Sequence, residues 1–158
     1  MRSLAALLML AAALTTTAAP LPLAYHRQTL SVGGKNYTVR VPEGFVLEPL
    51  TTDLDGPRLP TFAANGDLFI GSKSGKVYRL PPPYTHPEVL VTLHGYPHSV
   101  AFRGGEILIA RTNGVYRAPY RLGQAQLDGD ALSLLAALPA GSGHDSRTVA
   151  VGPDGRVY

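Results

Sequence analysis

Residues 60–70 read PTFAANGDLFI, residues 99–109 read SVAFRGGEILI and residues 148–158 read TVAVGPDGRVY. Each stretch has an apolar run, then turn residues that include an Asn-Gly, Gly-Gly or Asp-Gly pair, then a second apolar run. Such pairs supply the backbone conformation that tight turns between antiparallel strands require. The three stretches therefore predict one strand–turn–strand unit that occurs three times.

The first two copies of this unit continue into further strands. A short loop leads to Val77-Tyr78-Arg79 in the first copy and to Val115-Tyr116-Arg117 in the second. Residues 89–92 and 132–136 supply the fourth strands, although the Ala and Leu content of residues 132–138 also suits a short helix. Four antiparallel strands that recur every 40–50 residues or so are typical of propeller blades. The sequence therefore predicts an all-β protein with a β-propeller fold.

The N-terminus has the composition of a secretory signal peptide. Arg2 precedes an apolar run over residues 4–14, and small residues follow as far as Ala19. That order is typical of an export signal, and the run is shorter than the roughly 20 residues that a membrane span needs. We therefore expect residues 1–19 to be a signal peptide, the protein to be periplasmic or secreted, and no transmembrane segment to remain after cleavage.

The region between the signal and the first repeat predicts a hairpin. Residues 20–27 resemble a linker, and residues 29–32 and 37–41 alternate apolar and polar side chains around a Gly-Gly-Lys-Asn turn. Residues 45–50 are expected to form a further strand. The predicted domains are thus the signal peptide, a linker with a hairpin over 20–40, and propeller over 41–158. Two blades and the start of a third are expected, as the N-terminal part of a longer propeller.

Composition narrows the classes of function. Hydrophobic residues make up 45% of the 158 residues and charged residues 16%, which favours a packed core over disorder. The net charge of +3 comes from dispersed basic residues, so nucleic-acid binding is not expected. The absence of cysteine excludes disulfides, zinc–thiolate sites and attached c-type haem.

The predicted strand directions sort the loops onto two faces. Turns after the first and third strands of each blade open on one face, and these are rich in Gly, Asn and Asp. Loops after the second strand and connections between blades open on the other face, where reactive side chains collect and a binding or active site is expected. These side chains belong to Arg58, Lys73, His94, Tyr96, His98, Arg111, His144, Asp145 and Arg147.

Residues 143–158 resemble the glucose/sorbosone dehydrogenase family, through a His followed three residues later by Arg, then an inner strand and a Gly-Pro-Asp-Gly turn. Residues 41–45 and 55–58 are similar to the opening of that family, so the resemblance covers residues 41–158. It implies a six-bladed propeller that uses pyrroloquinoline quinone (PQQ) and calcium. Most ligands of both groups are expected in later blades.

The resemblance also implies roles for individual residues. His144 matches the general base, which takes the hydroxyl proton of a sugar while hydride moves to the quinone. Arg147 is expected beside it, either orienting a substrate oxygen or bracing the structure through backbone carbonyls. Asp145 and Arg111 are candidate substrate-binding residues, with the alternatives that Asp145 orients His144 or caps a turn.

His94, Tyr96 and His98 lie where the family lines its quinone pocket and are the candidate cofactor-binding residues. The segment His94-Gly95-Tyr96-Pro97-His98 departs from the glucose-oxidising pattern, which favours the sorbosone-like branch. Two histidines without a nearby carboxylate or cysteine make a poor zinc site, so no metal ligands are assigned.

The expected function is therefore that of an exported PQQ-dependent dehydrogenase of aldose sugars or sorbosone-like aldehydes. Its partners would be a small-molecule sugar or aldehyde and an electron acceptor that the sequence does not identify. The expected part-propeller would be inactive alone. Two alternatives stay open: a propeller lactonase, in which metal-bound water attacks a ring ester, and a non-catalytic binding propeller.

Overall fold

The computed structural model describes residues 22–139 and 143–158, which contain ten β-strands and one 3₁₀ helix, Gly129–Ala131. The coarse prediction of an all-β fold with antiparallel sheets is confirmed. The predicted signal peptide lies outside the described residues. None of the helices in the described part has the length and apolar character to cross a membrane. The chain divides into two compact units, with the division between Leu47 and Glu48.

The first unit is a two-stranded hairpin, as predicted. Strands β1 (Tyr25–Val32) and β2 (Lys35–Pro42) pair in antiparallel register over their whole length. Gly33 and Gly34 form the turn with φ of 56° and 74°, a region that glycine enters without steric cost. The predicted turn was two residues too long, because Lys35 and Asn36 pair within β2. The predicted linker was also too long, since β1 begins at Tyr25.

The predicted strand over residues 45–50 is wrong, because this segment has no regular structure. The side-chain amide of Gln28 bonds both backbone groups of Leu47: its oxygen accepts from Leu47 N–H at 3.0 Å, and its nitrogen donates to Leu47 C=O at 2.6 Å. A side chain therefore satisfies the polar groups that a strand would have paired with another strand.

The second unit contains two four-stranded antiparallel sheets, each with its strands in sequence order. In the first sheet, β6 adds Glu88 to the predicted residues, and the extra residues of β3 lie before the predicted repeat. In the second sheet, residues 133–137 pair with β9 across a bulge, so the alternative of a helix there is wrong. The first sheet comprises β3 (Pro57–Phe62), β4 (Leu68–Ser72), β5 (Lys76–Leu80) and β6 (Glu88–Thr92). The second comprises β7 (Ser99–Arg103), β8 (Glu106–Arg111), β9 (Gly114–Pro119) and β10 (Ser133–Ala137).

The two sheets share one apolar core. The ring of Phe69 from β4 meets Phe102 and Tyr120 of the second sheet edge-on, with centroids 4.9 and 5.7 Å apart. The backbones also approach closely, since Ser72 N–H donates to the Pro97 carbonyl at 2.8 Å. Gly71 makes this approach feasible: a Cβ there would lie 2.5 Å from the carbonyl oxygens of Pro97 and His98.

The third copy of the repeat folds back on itself as predicted. Val151 and Val157 form a bridge, and Ala150 and Tyr158 exchange backbone hydrogen bonds of 3.0 and 2.9 Å. Val149 packs against apolar side chains of β7, β8 and β9. The first strands of the three copies line one open groove of about 550 Å³, formed by residues 61–64, 100–102 and 149–151. The repeat therefore places equivalent strands side by side.

Candidate functional site

The loops that were predicted to share one face are joined to each other by backbone hydrogen bonds. Lys73 N–H donates to the Gly56 carbonyl at 2.8 Å, Leu93 N–H to Gly75 at 2.8 Å, and Leu138 N–H to Asn113 at 2.9 Å. We call this end of the two sheets the polar face. Its members are Arg58, Lys73, His94, Tyr96, His98, Arg111, His144, Asp145 and Arg147.

Tyr96 and His98 form the centre of one group on the polar face. Their rings meet edge-on with centroids 5.5 Å apart. Arg58, at the start of β3, donates from Nε to the Tyr96 hydroxyl, and its guanidinium carbon lies 5.7 Å from the Tyr96 ring centroid. Both rings are half-buried, so the connection between β6 and β7 holds them in place while leaving part of each accessible.

His98 joins this group to the residues before the third repeat. Its Nδ1 lies 3.0 Å from the carbonyl oxygen of Arg147. The fully buried hydroxyl of Ser99 donates to the same carbonyl at 3.2 Å and accepts from Val149 N–H at 2.8 Å. Ser99 is thus a structural link that the sequence did not reveal, because a Ser at the start of a strand gives no signal of its own.

The guanidinium of Arg147 binds the backbone of its own loop. It donates to the carbonyls of His144 and Ser146 at 3.2 Å each and to Pro139 at 2.9 Å. These contacts have the form of the bracing alternative, within one loop rather than between sheets. They fix the path of the chain that carries His144.

His144 and Asp145 lie beside Arg147 in the sequence. The His144 side chain is exposed and makes no hydrogen bond with the described residues. Asp145 is half-buried, and its Oδ1 is shielded from solvent without a partner in residues 22–139 and 143–158. No hydrogen bond joins the two side chains within that part of the chain.

Arg111 and His94 form a second group. Arg111 donates from a terminal nitrogen to the His94 carbonyl, and its guanidinium carbon lies 4.5 Å from the ring centroid of Tyr116. Its Nε is shielded from solvent and has no partner among the residues that the structure describes. The His94 side chain is exposed. The contact with Tyr116 was also not predicted, since that residue belongs to a repeated strand motif.

The charge of the polar face suits an anion better than a cation. Arg58, Lys73, Arg111 and Arg147 carry positive charge, and Asp145 is the acidic member of the set. The buried Arg111 Nε provides an unused donor for an anionic or carbonyl group. Across the described ranges, no group of three His, Cys, Asp or Glu side chains lies close enough together to hold a metal ion.

The largest change in ionisation lies away from the polar face, between the two sheets. Burial alone would lower the pKa of Arg79, but hydrogen bonds and charges of Asp67 and then Glu88 outweigh it and raise that pKa. Burial raises the pKa of Tyr120, and the Arg79 charge opposes this increase. The Asp67 and Arg79 side chains are 4% and 10% exposed, so this cluster stabilises the first sheet and is not accessible to a substrate.

The fold defines an all-β protein built from repeated four-stranded antiparallel units, and solved structures share that arrangement. Two are the calcium and iodide structures of a Trichoderma reesei enzyme of Carbohydrate-Active Enzymes Family AA12. Both are 19% identical to this chain, with TM-scores of 0.57 and 0.58, over 84% of this chain and 31% of theirs. A third is an oxidoreductase of Thermus thermophilus, described as a glucose dehydrogenase, with 19% identity and a TM-score of 0.53. The match covers 68% of this chain and 38% of that protein.

The chain therefore spans about a third of the length of the solved structures it matches. No family model matches the sequence. No curated protein matches it either. At 19% identity the likeness shows the fold alone, and the chemistry has to be argued from the residues.

Proposed function

We propose that this chain forms part of a β-propeller of an exported, PQQ-dependent dehydrogenase that oxidises sugars or sorbosone-like aldehydes. The observation that carries the proposal is the link between His98 and the carbonyl of Arg147, which joins two loops of the polar face. The likeness to an oxidoreductase described as a glucose dehydrogenase supports the same class. Export rests on the predicted signal peptide.

The polar face fits an anionic quinone. PQQ carries carboxylate groups, which pair well with the cations Arg58, Lys73 and Arg111. The unpartnered Nε of Arg111 within the described residues is the donor that such a group would satisfy. Calcium has no equivalent support, because the described part of the chain brings no oxygen ligand cluster together. We therefore assign no step to calcium and no role to a metal-dependent lactonase.

When bound, the quinone would accept a hydride from the substrate carbon. The protein's part is to hold the substrate hydroxyl and take its proton. His144 is exposed on the polar face and its side chain is free of hydrogen bonds to the described residues, so its imidazole is available as the base. Arg147 acts as a positioning residue, since its three carbonyl contacts set the path of the loop that presents His144.

Reduction of an artificial dye tests this proposal. The polypeptide that carries residues 1–158, at the length its source makes it, is supplied with PQQ, calcium and a panel of aldoses and aldehydes. We expect His144→Ala to lower the rate of dye reduction by at least about 100-fold. His86→Ala, an exposed histidine on the loop before β6, is the matched control and should keep the rate. Equal rates in the two variants would exclude His144 as the base.

A further inference from the structure

The hydrogen-bonding roles of Tyr96 and His98 are fixed by their neighbours. A carbonyl oxygen only accepts, so the 3.0 Å contact with Arg147 requires that His98 Nδ1 carries a hydrogen. In the neutral ring, the lone pair then belongs to Nε2. This Nε2 has no hydrogen-bond partner in residues 22–139 and 143–158, and it is not among the polar atoms there that are sealed from solvent. It is an accessible acceptor.

Tyr96 has the opposite role. The guanidinium of Arg58 only donates, so the Tyr96 oxygen accepts in their contact. The phenolic hydrogen has no acceptor among the residues that the structure describes, and it remains available to donate. An accessible donor and an accessible acceptor thus stand on adjacent rings, 5.5 Å apart between centroids.

We infer that Tyr96 and His98 form a donor–acceptor pair that recognises a hydroxyl group of a polyhydroxy ligand, a sugar or a polyol. A hydroxyl oxygen accepts from Tyr96 while its hydrogen is donated to His98 Nε2, so one group satisfies both. A site of this kind selects strongly against analogues that lack the hydroxyl, because its own polar groups would be left unpaired. The inference rests on the proposed function for the ligand class, and it assigns His98 to the substrate rather than to the quinone.

The protonated nitrogen of His98 can be measured directly. Nitrogen-15 NMR of the full chain at about pH 8, above the usual titration range of imidazole, distinguishes the two neutral forms of the ring. We expect the form with hydrogen on Nδ1 for His98. The form with hydrogen on Nε2 would overturn the inference. His86→Ala and His98→Ala spectra assign the resonances.

Two substitutions separate ligand recognition from folding. In His98→Asn the amide nitrogen replaces Nδ1 and can still donate to the Arg147 carbonyl, but the acceptor at Nε2 is lost. In Tyr96→Phe the ring stays and the hydroxyl donor is lost. We expect each variant to bind D-glucose or sorbitol about tenfold more weakly than the parent chain, the value of one hydrogen bond. His98→Asn should keep the melting temperature, which excludes unfolding as the cause.

The probes are D-glucose, sorbitol and permethylated glucose, which has no O–H donor. We expect the first two, and not the third, to shift the Nε2 resonance of His98. No shift with any probe, or equal shifts with all three, would overturn the inference. A selective shift without quinone-dependent dye reduction would leave the inference standing and reject the proposed function. Dye reduction without a shift would do the reverse.

Discussion

His98 and Arg147 are 49 residues apart in the sequence, and the ring of the first contacts the main chain of the second at 3.0 Å. The contact ties the connection between the two sheets to the strand that opens the third repeat. Ser99 strengthens the link, because its hydroxyl bonds both the Arg147 carbonyl and the Val149 N–H. The position of the loop with His144 therefore depends on buried hydrogen bonds made from the neighbouring sheet.

Removing the Ser99 hydroxyl should destabilise this link. Ser99→Ala leaves the buried N–H of Val149 without its partner, which costs about 1–3 kcal/mol of unfolding free energy. Ser133→Ala is the matched control, since Ser133 is exposed and its contact with the Arg117 carbonyl is long at 3.4 Å. Urea denaturation of both variants measures the difference. Equal losses would show that the hydroxyl of Ser99 is not a structural link.

The buried ion pair of the first sheet should matter more than its counterpart in the second sheet. Arg79→Met leaves the carboxylate of Asp67, 4% exposed, without a counter-charge, and should cost about 3–5 kcal/mol of unfolding free energy. Arg117 occupies the equivalent position in the second repeat and pairs with Glu106 at 3.4 Å. These two side chains are 45% and 30% exposed, so Arg117→Met should cost about 1 kcal/mol or less. Chemical denaturation distinguishes these outcomes, and equal costs would contradict them.

Gly71 should not tolerate a methyl group. The added Cβ would lie 2.5 Å from two carbonyl oxygens of the next sheet's connection, so the sheets would have to separate. We expect Gly71→Ala to lose about 1–3 kcal/mol of unfolding free energy, as other overpacked sites do. At Gly129 the same methyl would meet Leu93 and Val91 side-chain atoms at an ordinary 3.7 Å, so Gly129→Ala should keep its thermal stability. A Gly71→Ala protein with the parent melting temperature would refute the close approach.

Stability should fall at alkaline pH through Tyr120. Burial raises the pKa of its phenol above the ordinary 10.0, so the folded state holds its proton more tightly than the unfolded state. This contribution is complete below about pH 10 and is lost as pH rises through the folded pKa. Tyr120→Phe, which also loses the 3.0 Å bond to the Gln124 carbonyl, should be less stable at neutral pH but have a flatter alkaline decline. Tyr37→Phe, on an exposed ring of β2, is the control. Parallel declines in the parent and Tyr120→Phe would contradict the assignment.

The sequence predicted the repeated sheets well because their information is local. Hairpin turns such as Gly104-Gly105 and the alternation of adjacent strands depend on residues a few positions apart. Residues 45–50 have the apolar content of a strand, but a strand also needs a partner. The polar groups of Leu47 are instead bonded to Gln28, 19 positions away, and nothing in the segment itself encodes that contact.

The candidate site was predictable in outline and not in detail. Strand direction alone assigned the loops to a common face, and the hydrogen bonds between those loops agree with it. The contacts that give each side chain its role join distant positions, such as Arg58 and Tyr96, 38 residues apart. Ser99 was missed because a small buried hydroxyl leaves no pattern in the sequence. The roles of His144 and Arg111 stay predictions.

The absorbance of the quinone on mixing with substrate tests the central claim most directly. The polypeptide carrying these residues is loaded with PQQ and mixed rapidly with an aldose in the absence of oxygen and dye. We predict that the spectrum of the oxidised quinone converts to that of the reduced form at a rate that increases with aldose concentration, and that His144→Ala slows the conversion. An unchanged quinone spectrum with every aldose and aldehyde of the panel, in a protein shown to bind PQQ, would contradict the account.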